Sequence, residues 1–155
     1  MHGYRRALTR CLLTIALCSL GASAAEAAKC TVSATSIVFG TYNVFAAAPT
    51  DSTATVVYNC NGGAKNVWIT ITAGTSGTFS TRQMANGTER LGYNLFLNPP
   101  RTTIWGDLTG GSSVHTDPNP PNNEDLTATI YGRIPAGQDI SAGSYADTVT
   151  VVVNF

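Results

Sequence analysis

A chain of 155 residues with nine Lys and Arg against nine Asp and Glu, 12% charged and 43% hydrophobic, has room for one domain with a sizeable core and not for two ordinary ones. Beyond the first ten residues no basic patch marks a nucleic-acid or anionic-membrane partner.

The first residues read as a leader. Arg5, Arg6 and Arg10 precede an apolar run from Leu12 to Leu20 and a small-residue tract from Gly21 to Ala28, the three parts of a secretory signal peptide. Cleavage between Ala27 and Ala28 meets the small-x-small rule, and cleavage after Ala24 meets it as well. The apolar run is shorter than the roughly 20 residues a spanning helix needs, so membrane insertion is not expected. Lys29 before Cys30 and Leu17 before Cys18 are too large for a lipoprotein site. Residues 28–155 then form the mature domain, with six basic against eight acidic side chains and two cysteines, Cys30 and Cys60. In an exported chain two cysteines are expected to pair, which restricts the unfolded state by about 3–4 kcal/mol. A reactive thiol or a metal site is the alternative.

Along the mature chain, Thr31 to Phe39 is extended and interrupted near Ala34 to Ser36, and Ala46 to Asp51 turns at Pro49. Ser52 to Cys60 alternates, with Ala54, Val56, Tyr58 and Cys60 on one face. Asn61-Gly62-Gly63 ends it with strong turn chemistry, and Val67 to Ala73 follows at a spacing that fits a hairpin. Gly74 to Gly87 is rich in Gly, Ser and Thr, with Phe79 and Met84 as anchors and a short edge strand around them. Arg90 to Leu97 alternates clearly, Pro99-Pro100 stops it, and Thr102 to Trp105 begins another short strand. Gly106 to Glu124 reads as an exposed irregular loop, Leu126 to Ile134 as the next strand, and Pro135 to Gly143 as the turn into the last. Seven or eight short strands at roughly 8–12 residue spacing, with no helical period after the leader, predict an all-β antiparallel sandwich.

The last segment, Gly143 to Phe155, has an unusual edge. Tyr145, Val149, Val151, Val153 and Phe155 share one face, while Thr148, Thr150, Val152 and Asn154 share the other. From Thr148 on there is no Lys, Pro or Gly to blunt an exposed edge, so the strand calls for a neighbour on each side. Either both belong to this chain, or one comes from another chain by strand addition.

Chemistry is sparse. His115, the one histidine of the mature chain, falls in the Gly, Pro and Asn rich loop and is expected to be solvated. Glu124-Asp125 reads as soluble surface rather than an acid–base pair. Metal, phosphate and dinucleotide motifs are missing, and neither an enzyme nor a cofactor is expected. Trp68, Trp105, Tyr93 and Tyr131 form either a sugar platform or, as their alternating strands favour, core and rim packing.

Several ordered motifs carry a family likeness: Cys30-Thr-Val-Ser, Phe39-Gly-Thr-Tyr42, Tyr58-Asn-Cys60, Arg82-Gln-Met84, Leu91-Gly-Tyr-Asn-Leu95, Arg101-Thr-Thr-Ile-Trp-Gly-Asp107, Tyr131-Gly-Arg-Ile-Pro135 and Gly143-Ser-Tyr-Ala-Asp-Thr-Val-Thr-Val151. From Cys30 to Phe155 the chain resembles the spore coat protein U domain family, which includes subunits of archaic chaperone-usher pili. The resemblance implies an immunoglobulin-like sandwich lacking its final strand, with an apolar groove beside Thr148, Val149, Thr150, Val151, Val152, Val153, Asn154 and Phe155. It implies that a periplasmic pilus chaperone fills this groove, that a neighbouring pilin subunit replaces it at an outer-membrane usher, and that Cys30 and Cys60 join the first two strands. The expected role is a non-enzymatic subunit of a surface pilus or coat, exported through the periplasm. The family's stalk subunits carry a donor segment before the first cysteine, whereas cleavage after Ala27 leaves only Ala28 and Lys29. This favours an acceptor in a terminal or minor position, with a tip adhesin binding a surface or glycan through Gly74–Gly87 or Gly106–Glu124, or a secreted non-polymerising coat protein, as alternatives.

Overall fold

The structure, a computed structural model, describes residues 27–155. The leader expected over 1–27 lies outside that range except for Ala27, which is exposed beside Ala28 with its backbone against the Gly62 turn. Eight strands form in chain order: β1 (Lys29–Ala34), β2 (Thr50–Asn61), β3 (Val67–Ile71), β4 (Arg82–Asn86), β5 (Glu89–Phe96), β6 (His115–Asp117), β7 (Asp125–Ile134) and β8 (Val151–Asn154). They make two sheets, one of five strands in the order β1-β2-β7-β5-β4 and one of three in the order β6-β3-β8. Every ladder is antiparallel, giving the all-β antiparallel sandwich the strand pattern predicts.

Alternation decides which face of each strand is buried. Ala54, Val56, Tyr58 and Cys60 of β2 meet Val67, Ile69 and Ile71 of β3 in one core, joined by Leu91, Tyr93 and Leu95 of β5 and by Ala128, Ile130 and Ile134 of β7. Phe79 and Met84 are buried as expected, and β4 is the edge strand around Met84. Trp105 is fully buried and donates its indole N–H to the Ile69 carbonyl at 2.8 Å, so it belongs to no sugar platform. Cys30 and Cys60 face one another in the β1–β2 register and are joined as a disulfide.

Four sequence expectations change. β2 and β3 are not a hairpin: β2 is flanked by β1 and β7, so β3 has to cross to the other layer. Positive φ at Gly62, Gly63 and Asn66 redirects the chain there. The 106–124 stretch is not all loop, because β6 lies inside it and pairs with β3. His115 on β6 is accordingly half-buried rather than solvated, with Nε2 3.3 Å from the Tyr58 hydroxyl, which itself donates to Asp117 at 3.0 Å. Burial lowers the His115 pKa, with Asp117 opposing, and burial pushes Tyr58 up to about 12. The expected Thr102–Trp105 strand is reduced to isolated bridges, Phe96 with Ile104 and Trp105 with Ser113.

Arg82 lies at the centre with no exposed surface. Its guanidinium donates to the carbonyls of Thr72, Ile71 and Trp105 and to Asn94 Oδ1, and burial lowers its pKa to about 10. Those carbonyls end β3 and the Trp105 crossing, so one side chain ties β4 and β5 to the sheet that carries the terminal strand.

Candidate functional site

The terminal segment is paired along one side only. Ala146 exchanges both backbone bonds with Ala85 on β4, at 2.8 and 3.2 Å. Thr150 accepts from the Thr72 N–H at 3.0 Å and donates to Thr72 Oγ1 at 2.9 Å. Val151 to Asn154 then run antiparallel to Ile71 to Trp68. Ile71, opposite Val151, sends its N–H away to the Gly106 carbonyl, so the β3 side uses Thr150, Val152 and Asn154. Antiparallel alternation therefore points the N–H and C=O of Val149, Val151 and Val153 outward. Among the described residues nothing bonds the backbone of Val149.

The strand expected over Thr148–Phe155 is thus shorter, Val151–Asn154. Thr148 and Val149 stay outside a ladder because β3 ends at Ile71 and the segment has no second neighbour to hold them. Its inward side chains show the same deficit. Tyr145, Val149, Val151 and Val153 pack on the core yet remain half-buried, whereas inward residues of β7 such as Ile130 and Ile134 are covered.

Facing that open edge is Thr35–Pro49, a stretch in no ladder. It is held by scattered bonds: Thr35 N–H to the Thr55 carbonyl at 2.9 Å, Ser52 Oγ to the Val38 carbonyl at 2.6 Å, and the Tyr42 hydroxyl, which donates to the Pro135 carbonyl at 3.0 Å and accepts from the Gln138 N–H at 2.9 Å. Between the two stretches run two open hollows of about 930 and 420 Å³. Both are lined by Ile37, Phe39, Met84 and Tyr145, so they form one groove. Its floor is core: Leu91 and Ile134 in the larger part, Leu95 and Ile130 in the smaller. Val38 and Phe45 on its rim are 74% and 93% exposed. β1 and β8, each at the edge of its sheet, pass close by one another without pairing.

Asp147 is the polar exception on the inward face. Its carboxylate accepts from the Tyr93 hydroxyl at 2.8 Å, the Thr75 N–H at 3.0 Å, the Thr75 hydroxyl at 2.9 Å and the Thr148 N–H at 2.8 Å. Burial raises the Tyr93 pKa, and the bond to Asp147 adds to it. The sequence shows Asp147 at inward parity between Tyr145 and Val149, a signal that the alternation reading passed over. It gave no sign that 35–49 forms the opposite wall. Among the described residues no cluster of His, Cys, Asp and Glu could hold a metal ion, and no helix is long and apolar enough to cross a membrane.

The Spore Coat Protein U domain model matches residues 16–152. The chain belongs to the Spore Coat Protein U domain family. Protein U of Myxococcus xanthus is 29% identical over 85 residues, 54% of this chain and 45% of that protein. A chain in the crystal structure of the CsuC-CsuE chaperone-tip adhesion subunit pre-assembly complex, from archaic chaperone-usher Csu pili of Acinetobacter baumannii, has a similar fold. The TM-score is 0.55 at 24% identity, over 83% of this chain and 40% of that one. This Spore Coat Protein U domain spans less than half the length of either relative.

Proposed function

We propose that this domain is a non-enzymatic subunit of a surface pilus or coat, exported through the periplasm, whose sandwich is completed by a β-strand from another chain lying in the groove between 34–45 and 145–153. The observation that carries this reading is the one-sided terminal segment, with Val149 and Val151 lining an open, largely apolar groove and Val153 continuing the same unpaired edge. Those three residues offer up to about six hydrogen bonds, each worth roughly 0.5–1.5 kcal/mol net. Each apolar side chain the incoming strand buries adds about 1.5–3 kcal/mol. The family membership and the fold shared with a chain of a chaperone–subunit pre-assembly complex support a periplasmic chaperone as the first occupant. A neighbouring subunit, exchanged in at an outer-membrane usher, is the second. Lining residues that are almost all apolar or hydroxylated suit strand capture and offer no acid–base pair.

The test is expression of the exported chain with and without a pilus chaperone encoded beside it. Alone, it should aggregate or be degraded; with the chaperone, it should accumulate as a soluble one-to-one complex. A stable monomer that unfolds cooperatively by itself would overturn the proposal.

A further inference from the structure

The terminal run has a register problem that its own valines cannot solve. Sliding a strand by one residue turns every side chain to the wrong face, but sliding it by two preserves the faces. In Thr148-Val-Thr-Val-Val-Val-Asn154 a two-residue slide exchanges valine for valine on the inward face. The neighbouring contacts do little to prevent it. Between the Ala146–Ala85 bridge on one sheet and the Thr150–Thr72 bonds beside the other, the segment changes the strand it leans on. Asp147 lies inside that change-over.

We infer that Asp147 is the register pin of the terminal strand: its carboxylate, seated against Tyr93, Thr75 and Gly74, fixes which valine faces which position along the groove. The seat is shaped for it. A Cβ on Gly74 would collide with the Asp147 carboxylate, so the backbone is cut away at this point. Tyr93 is 4% exposed, and its hydroxyl has Asp147 as its hydrogen-bond partner. A slide that brought Val149 to the seat would leave that hydroxyl unpaired. It would also move the carboxylate into the place of Tyr145, against Ile37, Phe39 and Met84. A slide the other way would force the Tyr145 ring into the seat. One polar residue among interchangeable apolar ones sets register in this way in coiled coils too, where both wrong registers bury a mismatch. Asp147 is thus a positioning residue. It acts through the backbone it belongs to, deciding where along the edge Val149, Val151 and Val153 present their backbone groups. Its consequence for an occupant rests on the groove reading above; its effect on the chain's own register does not.

Cysteine pairs report the register directly. Ile69 faces Val153 in the native ladder, and would face Val151 or Phe155 after a two-residue slide. The full-length chain, exported in cells, would carry Ile69→Cys with Val153→Cys, Val151→Cys or Phe155→Cys, and mass spectrometry of non-reduced peptides would score each cross-link. In the parent background the 69–153 link should form alone. Asp147→Val should raise the slid links from below about 1% to about a tenth or more of the product, and Asp147→Asn, which still accepts from Thr75, should largely restore the native link. Tyr93→Phe empties the seat from the other side and should also release slid links, which decides the matter should Asp147→Val not accumulate. Native linkage alone in the variants that accumulate would overturn the inference. Both cysteines belong to this chain, so the result stands whether or not another chain ever fills the groove.

Discussion

Replacing Arg82 with methionine keeps most of the side chain's length and removes its donors. The Thr72 and Trp105 carbonyls, which Arg82 reaches at 3.0 and 2.7 Å, then lose this donor, at Trp105 in a buried place and at Thr72 in a partly buried one. Asn94 Oδ1 keeps the Leu95 N–H at 2.9 Å, and the contact to Ile71 at 3.4 Å was weak. The buried carbonyl at about 1–3 kcal/mol and the partly buried one at the lower end of that range, less the relief of no longer burying a guanidinium, give a loss of about 1–4 kcal/mol. Arg133→Met is the control. Arg133 also makes two bonds, at 2.7 and 2.8 Å to Asp51, but on the surface, where Arg101 remains beside the carboxylate at 3.2 Å. That change should cost under about 1 kcal/mol. In urea, with about 2 kcal/mol lost per molar denaturant, Arg82→Met should shift the midpoint by about 0.5–2 M and Arg133→Met by under about 0.5 M. Both are measured against the parent in the same form, bound to any partner it carries. Equal shifts would refute the claim that burial, rather than bond count, sets the value of each arginine. The Thr72 carbonyl belongs to the residue whose N–H holds Thr150, so Arg82→Met should also loosen the terminal strand.

Reducing the Cys30–Cys60 disulfide, which spans 30 residues, should lower stability by about 3–4 kcal/mol, read as a drop in the urea midpoint on adding reductant. His115 is held below its usual 6.5 by burial against Tyr58 and Trp105, with Asp117 opposing. The unfolded chain then binds the proton first, so this group's contribution to stability is complete above about pH 6.5 and is lost as pH falls; His115→Phe should flatten that acid slope in thermal melts. Proline at 152 removes an N–H on the Thr70 side, whereas proline at 151 removes one that faces outward. Val152→Pro should therefore destabilise the chain itself, and Val151→Pro should chiefly weaken chaperone capture in pull-downs.

Much of this fold is written in local alternation. The buried faces of β2, β3, β5 and β7 follow directly from period-two patterns such as Val67, Ile69, Ile71 and Leu91, Tyr93, Leu95, because a half-buried strand needs nothing beyond its own sequence to show its inner side. Layer assignment needs tertiary information. Asn61-Gly62-Gly63 has the residues of a hairpin turn, but one edge of β2 is taken by the preceding strand β1 and the other by β7 far down the chain, so the same glycines carry the chain across the sandwich. Arg82 was invisible as a core residue for a related reason: four acceptors from three separate segments converge on it, and no short window contains them. The terminal segment was legible as a strand calling for two neighbours, from valine and threonine with no blunting residue, but the pattern left open whether both belong to this chain. Its opposite wall, 35–49, was not, since an extended segment in no ladder has no pattern that names its neighbour.

Amide hydrogen exchange along the last segment bears most directly on strand completion. In the chain freshly refolded without a partner and measured before it aggregates, Thr150 and Val152, whose N–H groups face Thr72 and Thr70, should be protected while Val149, Val151 and Val153 exchange nearly freely. In the captured complex the latter three should slow by about 100-fold or more. Equal protection of all five amides in the chain alone, or unchanged exchange at 149, 151 and 153 in the complex, would contradict the account.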